Sequence, residues 1–266
     1  MVRIIVLSGG SHTVVYMVDG VSPESLTVEW HGTVAQVTIN RPSRRNAVDL
    51  PTLHAIREAQ IDVVDKKGRA MVITGSAPAF CAGADLSGVQ EDEFQNALHE
   101  VLYAMTTMPI VTIASIDGPA LGAGAQIAAS CDMRVATATS TIGVPAAKLG
   151  LVVSHWTVER LVREFSWPVA RAMLLTARIY SGTELAQFGS IHRLGDLGVA
   201  LSWAQEIAAL APLTISGHKL VLGVSATDPQ VNELVIEARD RAWESNDAAE
   251  GRKAFLEKRP PNFMGS

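Results

Sequence analysis

Apolar and polar residues alternate over Leu26–Trp30 and again over Thr33–Asn40, with His31-Gly32 between them. A period of two sends one side of a strand into a core and the other into water, so these runs predict a β-hairpin. Arg41-Pro42 ends it, and the period then changes. Asp49 is placed to N-cap a helix with Pro51 in its first turn, and Leu53, Ile56, Val63 and Val64 give that helix an apolar stripe. Ala70–Thr74 reads as a short buried strand, and 75–86 as a Gly/Ala/Pro loop. Phe94, Leu98, Val101, Leu102 and Met105 recur at helical spacing, and the β-branched run Ile110–Ile116 predicts a second buried strand. Asp117-Gly118-Pro119 turns the chain into a Gly/Ala-rich helix over Leu121–Ser130, followed by a strand at Met133–Ala136.

Strand and helix thus alternate, with right-handed crossovers expected. Beyond Val144 the pattern is nearly all helical. Ser181-Gly182-Thr183-Glu184 has the form of a capping box, Leu197, Leu201, Ile207, Ala208 and Leu210 stripe one helix, and Val231–Trp243 and Ala248–Lys258 make two more. No fixed-period repeat, linker or low-complexity tract interrupts the chain. The simplest organisation is one α/β core over residues 25–200 with a helical region over 201–266. Residues 1–24 read as an uncertain leader, either disordered or an artefact of start choice, since Met17 is an alternative start.

Composition narrows the function classes. The chain has 266 residues, 48% hydrophobic, enough for a large core. A net charge of -5 gives no basic face for phosphate backbones, so no nucleic-acid partner is expected. No run reaches the roughly 20 apolar residues of a membrane span, and the apolar stretch Val2–Leu7 is too short for a signal peptide. Two cysteines, Cys81 and Cys131, make no disulfide framework and suit a reducing cytoplasm. No metal-ligand cluster or P-loop stands out, and Gly118–Gly124 lacks the dinucleotide GxGxxG spacing.

Four segments carry a resemblance. Arg41-Pro42 with Arg45-Asn46-Ala47-Val48 is similar to an "RP…NAL" motif, and Phe80-Cys81-Ala82-Gly83-Ala84-Asp85-Leu86 matches "FCAGADL". Asp117-Gly118-Pro119-Ala120-Leu121-Gly122-Ala123-Gly124 is similar to "NGxALGGG", and Lys258-Arg259-Pro260-Pro261-Asn262-Phe263 to a "KRxPxF" tail. Over roughly residues 26–264 the chain resembles the crotonase (enoyl-CoA hydratase/isomerase) superfamily. The resemblance implies an α/β crotonase (ClpP/crotonase-like) spiral of ββα units with a helical C-terminal trimerisation region, assembled as a homotrimer or hexamer. It implies an acyl-CoA or enoyl-CoA ligand, work in fatty-acid or lipid metabolism, and no cofactor apart from the coenzyme A of the ligand itself.

The chemistry behind these motifs can be stated directly. Thioester reactions develop negative charge on the thioester oxygen, and two backbone N–H groups aimed at it stabilise that charge. By motif position the donors are Ala84 and Ala123, with Ala82, Gly83, Asp85, Leu86 and Gly122 forming the surrounding wall, Asp85 by packing or capping within its loop. Alone, each Gly/Ala segment could be only a tight turn. Arg45 and Ala47 would lie along the CoA, Arg45 either as a phosphate partner or as a solvated charge. Pro145 and Leu149, with Gly143 and the helix of Trp156, would form the pocket lip. Phe255 and Lys258 resemble tail residues that reach the ligand of a neighbouring subunit.

Two departures matter more than the matches. Hydratases of this superfamily hold and activate a water with two glutamates. Here the corresponding positions are Gln126 and Ala146, and glutamine cannot ionise. General acid–base groups contribute about 10²–10⁴ in rate, so hydratase activity is expected to be weak or absent. Ser154 stands where related isomerases place an aspartate. His155 is a candidate base, or a histidine packed on Trp156 or capping the next helix, which is the favoured reading. Cys81 reads as a small packed side chain rather than a nucleophile. Three functions follow: an acyl-CoA-binding protein without hydratase activity; an enzyme (hydratase, isomerase or thioester hydrolase) using a Gln126-held water or His155; or a structural paralogue that binds no CoA, against which the intact 80–86 loop argues.

Overall fold

The computed structural model describes residues 2–9, 11–18, 25–85, 91–223 and 229–266, with side chains described over 25–85, 92–223 and 233–266. Leu86 and residues 1, 10 and 19–24 of the expected leader lie outside the described residues.

The predicted hairpin forms as β3 (Leu26–His31) and β4 (Val34–Ile39), paired antiparallel around the left-handed Gly32. Before it, β1 (Val2–Gly9) and β2 (Ser11–Val18) form a second hairpin that continues the sheet through β2 and β3. Asp49 caps α1 (Leu50–Asp65) by accepting from the Thr52 N–H, which satisfies a donor the helix cannot pair itself. The chain then runs through β5 (Ala70–Gly75), α2 (Glu91–Thr107) and β6 (Val111–Ile116). Next come β7 (Pro119–Leu121), α3 (Ala123–Ser130), β8 (Met133–Ala136) and β9 (Thr141–Gly143). The rest is mainly helical: α4 (His155–Phe165), α5 (Trp167–Thr176), β10 (Tyr180–Ser181), α6 (Gly182–Gln187) and β11 (Arg193–Leu194). Four helices follow: α7 (Leu197–Ala208), α8 (Pro212–Gly223), α9 (Pro229–Trp243) and α10 (Asn246–Glu257). The capping box at Ser181 and Glu184 is present in full.

The main sheet has the order β1-β2-β3-β4-β5-β6-β8-β11, parallel from β4 to β11, and a small sheet β10-β9-β7 stands beside it. Alternation along the strands feeds two apolar layers. Val37, Met71, Ile73 and Ala114 pack with Leu53, Ile56, Leu102 and Met105 of α1 and α2, while Val34, Ala70, Val72, Ile113 and Val135 meet Ala200, Ala204 and Ile207 of α7. These strands are apolar on both sides because both faces are covered.

One boundary differs from expectation. The helix predicted from Leu121 begins at Ala123, because Pro119–Leu121 pairs in parallel with β9. Three residues are too few to display a two-residue period. Gly122 adopts φ 53°, ψ −114°, a backbone shape closed to residues with a side chain, so the helix starts after it.

Two buried polar knots tie the helical region to the sheet. Lys219 of α8 donates to the Met105 and Ile110 carbonyls and pairs with Asp132 at 2.7 Å; burial lowers its pKa. Arg134 of β8 bonds the carbonyls of Ser190, Ala128 and Cys131 and pairs with Glu164 of α4. Among the described residues no single helix is long and apolar enough to cross a membrane.

Candidate functional site

The segment 81–85 lies between two others and is stitched to both. The Cys81 N–H donates to the Pro119 carbonyl, and the Leu121 N–H donates back to the Cys81 carbonyl. On the other side Ala82 N–H donates to Arg45, Val48 N–H to Gly83, and Asp85 N–H to Val48. This register uses the backbone groups around Ala84 and leaves the Ala84 N–H without an acceptor among the described residues.

Ala123 is arranged alike. Gly122 N–H donates to Gly143 and Gln126 N–H to Gly122, while the Ala123 N–H, first in α3, finds no acceptor among the described residues. Buried N–H groups are rarely left this way. The two donors are neighbours because the residues before them touch: a Cβ on Gly122 would lie 3.8 Å from the Gly83 Cα. Ala123 does not adopt a positive φ, so alanine here keeps the donor without strain. The start of α3 adds partial positive charge at the same point.

Gly124 sets how closely loop and helix approach. A Cβ there would stand 2.2 Å from the Cys81 carbonyl oxygen and 2.8 Å from the Cys81 Cβ. Backbone cannot swing aside as a flexible side chain can, so Gly124→Ala is expected to push α3 off the loop. The expected cost is about 1–3 kcal/mol, typical of overpacking, and thermal unfolding of the variant checks it.

The supporting framework contains residues whose roles the sequence did not signal. Asn46 is fully buried with φ 58° and donates to the carbonyls of Ser76 and Ala79, while its oxygen accepts from the Arg41 N–H. Arg41 bonds the Ala47 carbonyl and pairs with Asp49 at 2.6 Å and Asp85 at 3.3 Å. Arg41 and Asn46 therefore position both loops, and Asp85 is an ion-pair partner within its loop.

The replaced glutamate positions are also placed. Gln126 is the one residue of α3 that is not fully buried. Its Oε1 accepts from the Thr157 hydroxyl at 3.0 Å, and Ser154 orients that threonine through bonds to its hydroxyl and N–H. Ala146 opens a 3-10 turn, Ala146–Lys148, with Pro145 as its N-cap and its own methyl against the core. Leu149 just after it is 64% exposed.

Other candidates lie elsewhere. The His155 side chain is 85% exposed, with Nε2 3.8 Å from Glu159. It neither caps α4, which Ser154 does, nor packs on Trp156; the histidine set edge-on to Trp156, 5.4 Å between ring centroids, is His99 of α2. Arg45 is exposed, and Ala47 and Ala82 are half-buried. Phe255 (83% exposed) lies on α10, which packs on α9, and Lys258 is its left-handed C-cap residue.

Burial pushes the Cys81 thiol up to about 11 and the Cys131 thiol up to about 12. A thiol at neutral pH is a poor nucleophile, so Cys81 packs rather than reacts. The expected result is that a thiol reagent at pH 8 labels neither cysteine in the native protein and both in urea. The raised values also fix a sign: the unfolded chain loses these protons from about pH 9, so their stabilising contribution is complete below that pH and lost as pH rises toward 11–12.

A family model described as enoyl-CoA hydratase/isomerase matches residues 29–266. The probable enoyl-CoA hydratase echA6 of Mycobacterium tuberculosis is 38% identical over 234 residues, covering 88% of this chain and 96% of that protein. Mouse mitochondrial methylglutaconyl-CoA hydratase is 32% identical, over 85% of this chain and 78% of its own. Among solved structures, an enoyl-CoA hydratase/carnithine racemase from Magnetospirillum magneticum superposes with a TM-score of 0.83 at 28% identity, covering 91% of this chain and 96% of that one.

Proposed function

The chain belongs to the enoyl-CoA hydratase/isomerase family, and from that premise we propose that it binds an acyl-CoA thioester without hydrating it. The thioester oxygen would sit between the Ala84 and Ala123 N–H groups, where paired donors and the α3 dipole favour negative charge. Arg45, exposed beside this loop, would meet the CoA phosphates. Coenzyme A arrives with the ligand, and no separate cofactor is invoked.

The observation that carries the reading is the Thr157–Gln126 bond. Adding water across a double bond needs a group that takes a proton from the water and another that gives one to carbon. The accepting oxygen of Gln126 is already engaged, and its NH₂ can only donate. Ala146 offers a methyl, and His155 stands at the surface. Among the described residues the site thus offers two unpaired backbone donors and no carboxylate at positions 126 and 146. Such a protein would serve fatty-acid or lipid metabolism as a carrier, sensor or complex subunit. The exposed apolar side chains of α8–α10, including Leu222, Trp243, Phe255 and Leu256, support assembly into trimers or hexamers. In that assembly Phe255 and Lys258 would reach a neighbour's ligand.

Calorimetry with butyryl-CoA and palmitoyl-CoA, paired with a crotonyl-CoA hydration assay, tests this. Binding with negligible turnover is the expected result. Turnover at rates ordinary for an enzyme would overturn it, and a failure to bind either thioester would leave the structural-paralogue reading.

A further inference from the structure

Gln126 is more than a lost glutamate. We propose that its amide NH₂ is a specificity determinant that selects acyl thioesters carrying a 3-oxo group. This inference rests on the acyl-CoA reading above.

Three observations carry it. First, seven of the eight residues of α3 are buried and Gln126 is the exception, so the helix opens to accessible space through this one side chain. Second, the amide has a defined direction. The Thr157 hydroxyl donates to Oε1 at 3.0 Å, and Thr157 is itself held by Ser154. With Oε1 engaged, Nε2 is the outward end, and it has no partner among the described residues. Third, the donor lies near the hole. Gln126 follows Ala123 by three residues, about 4.5 Å along the helix axis, on the same face. Side chains on a helix lean toward its N-terminus, so the amide covers the turn that begins with the Ala123 N–H.

The hole and the amide together present donors at two points one short step apart. A saturated acyl thioester has one acceptor to offer them, its thioester oxygen. A 3-oxoacyl thioester has two, separated by a single carbon between the carbonyls. Its second oxygen would accept from Nε2. A glutamate in the same place would have no donor to offer that oxygen, so the Gln126 amide supplies a contact that a carboxylate lacks. Ala146 adds no second carboxylate.

The test compares acetoacetyl-CoA with butyryl-CoA by calorimetry on the full chain. One added hydrogen bond corresponds to about three- to tenfold tighter binding of acetoacetyl-CoA. That ratio should fall to about one in Gln126→Leu, which keeps the bulk and removes the donor. Thr157→Val should also lower it, because the amide would no longer be held with Nε2 outward, and thermal melts verify that each variant is folded. Equal affinities in the native chain, with butyryl-CoA clearly bound, would overturn this inference and leave the acyl-CoA reading standing. A ratio that survives in Gln126→Leu would overturn it as well. If neither thioester binds, the acyl-CoA reading itself fails.

Discussion

Replacing Glu164 with alanine is expected to destabilise the protein by about 3–5 kcal/mol, the cost of leaving a buried charge unpaired. Arg134 is the reason. Its side chain is 2% exposed and its guanidinium is anchored by three backbone carbonyls, so it cannot turn out to water. Glu164 neutralises it at 2.5 Å and also pairs with Arg160 at 3.2 Å. Without the carboxylate two cations would face each other, one of them over the Phe165 ring at 5.6 Å. Burial and the neighbouring Arg134 already lower the pKa of Arg160, and Glu164 is the chief influence in the opposite direction. Glu164→Gln keeps an acceptor and should cost less, which separates lost charge from lost hydrogen bonding. As a contrast, Glu206→Ala removes the exposed pair with Arg193 and should cost at most about 1 kcal/mol. Urea unfolding of the three variants measures all of this. A Glu164→Ala loss no larger than that of Glu206→Ala would show that the knot does not support the fold.

The second large effect is a gain. Gln126→Glu combined with Ala146→Glu is expected to raise crotonyl-CoA hydration by about 10²–10⁴ over the native chain, the usual worth of general acid–base groups. The frame for it is in place. Among the described residues the Ala84 and Ala123 N–H groups have no acceptor, and the Thr157 hydroxyl, which now donates to an amide oxygen, would donate equally well to a carboxylate. Each single variant should gain much less, since both proton transfers require a carrier. Initial rates for the native chain, the two single variants and the double variant decide the matter. An unchanged rate in a double variant that still binds butyryl-CoA would mean that the two positions do not flank the reacting carbons.

Much of the architecture was legible from local signals. The β3–β4 hairpin, the Asp49 cap, β5, β6, β8 and the Ser181 capping box all arise from residues within a few positions of one another, where propensity and periodicity act. The two stretches that supply Ala84 and Ala123 were readable for a similar reason. Close backbone approach needs small residues, and a cluster of Gly and Ala at two places is visible without a structure.

What stayed hidden depends on contacts across the chain. β7 could not be seen because three residues carry no period, and its pairing with β9 is what delays α3 to Ala123. Arg134 and Lys219 look like surface charges in sequence; burial by segments 56 and 114 residues away in the chain makes them structural knots. His155 and His99 show the same limit from the other side. The sequence singled out the histidine nearest the glutamate position, whereas the helix rotation turns it to water and brings His99 of α2 to Trp156. The direction of the Gln126 amide is likewise decided by Thr157, thirty-one residues later. The sequence alone determined which backbone donors and side chains this protein has to work with. Tertiary structure decided which of them are left without partners, because hydrogen-bond satisfaction is a property of the folded neighbourhood and not of the residue.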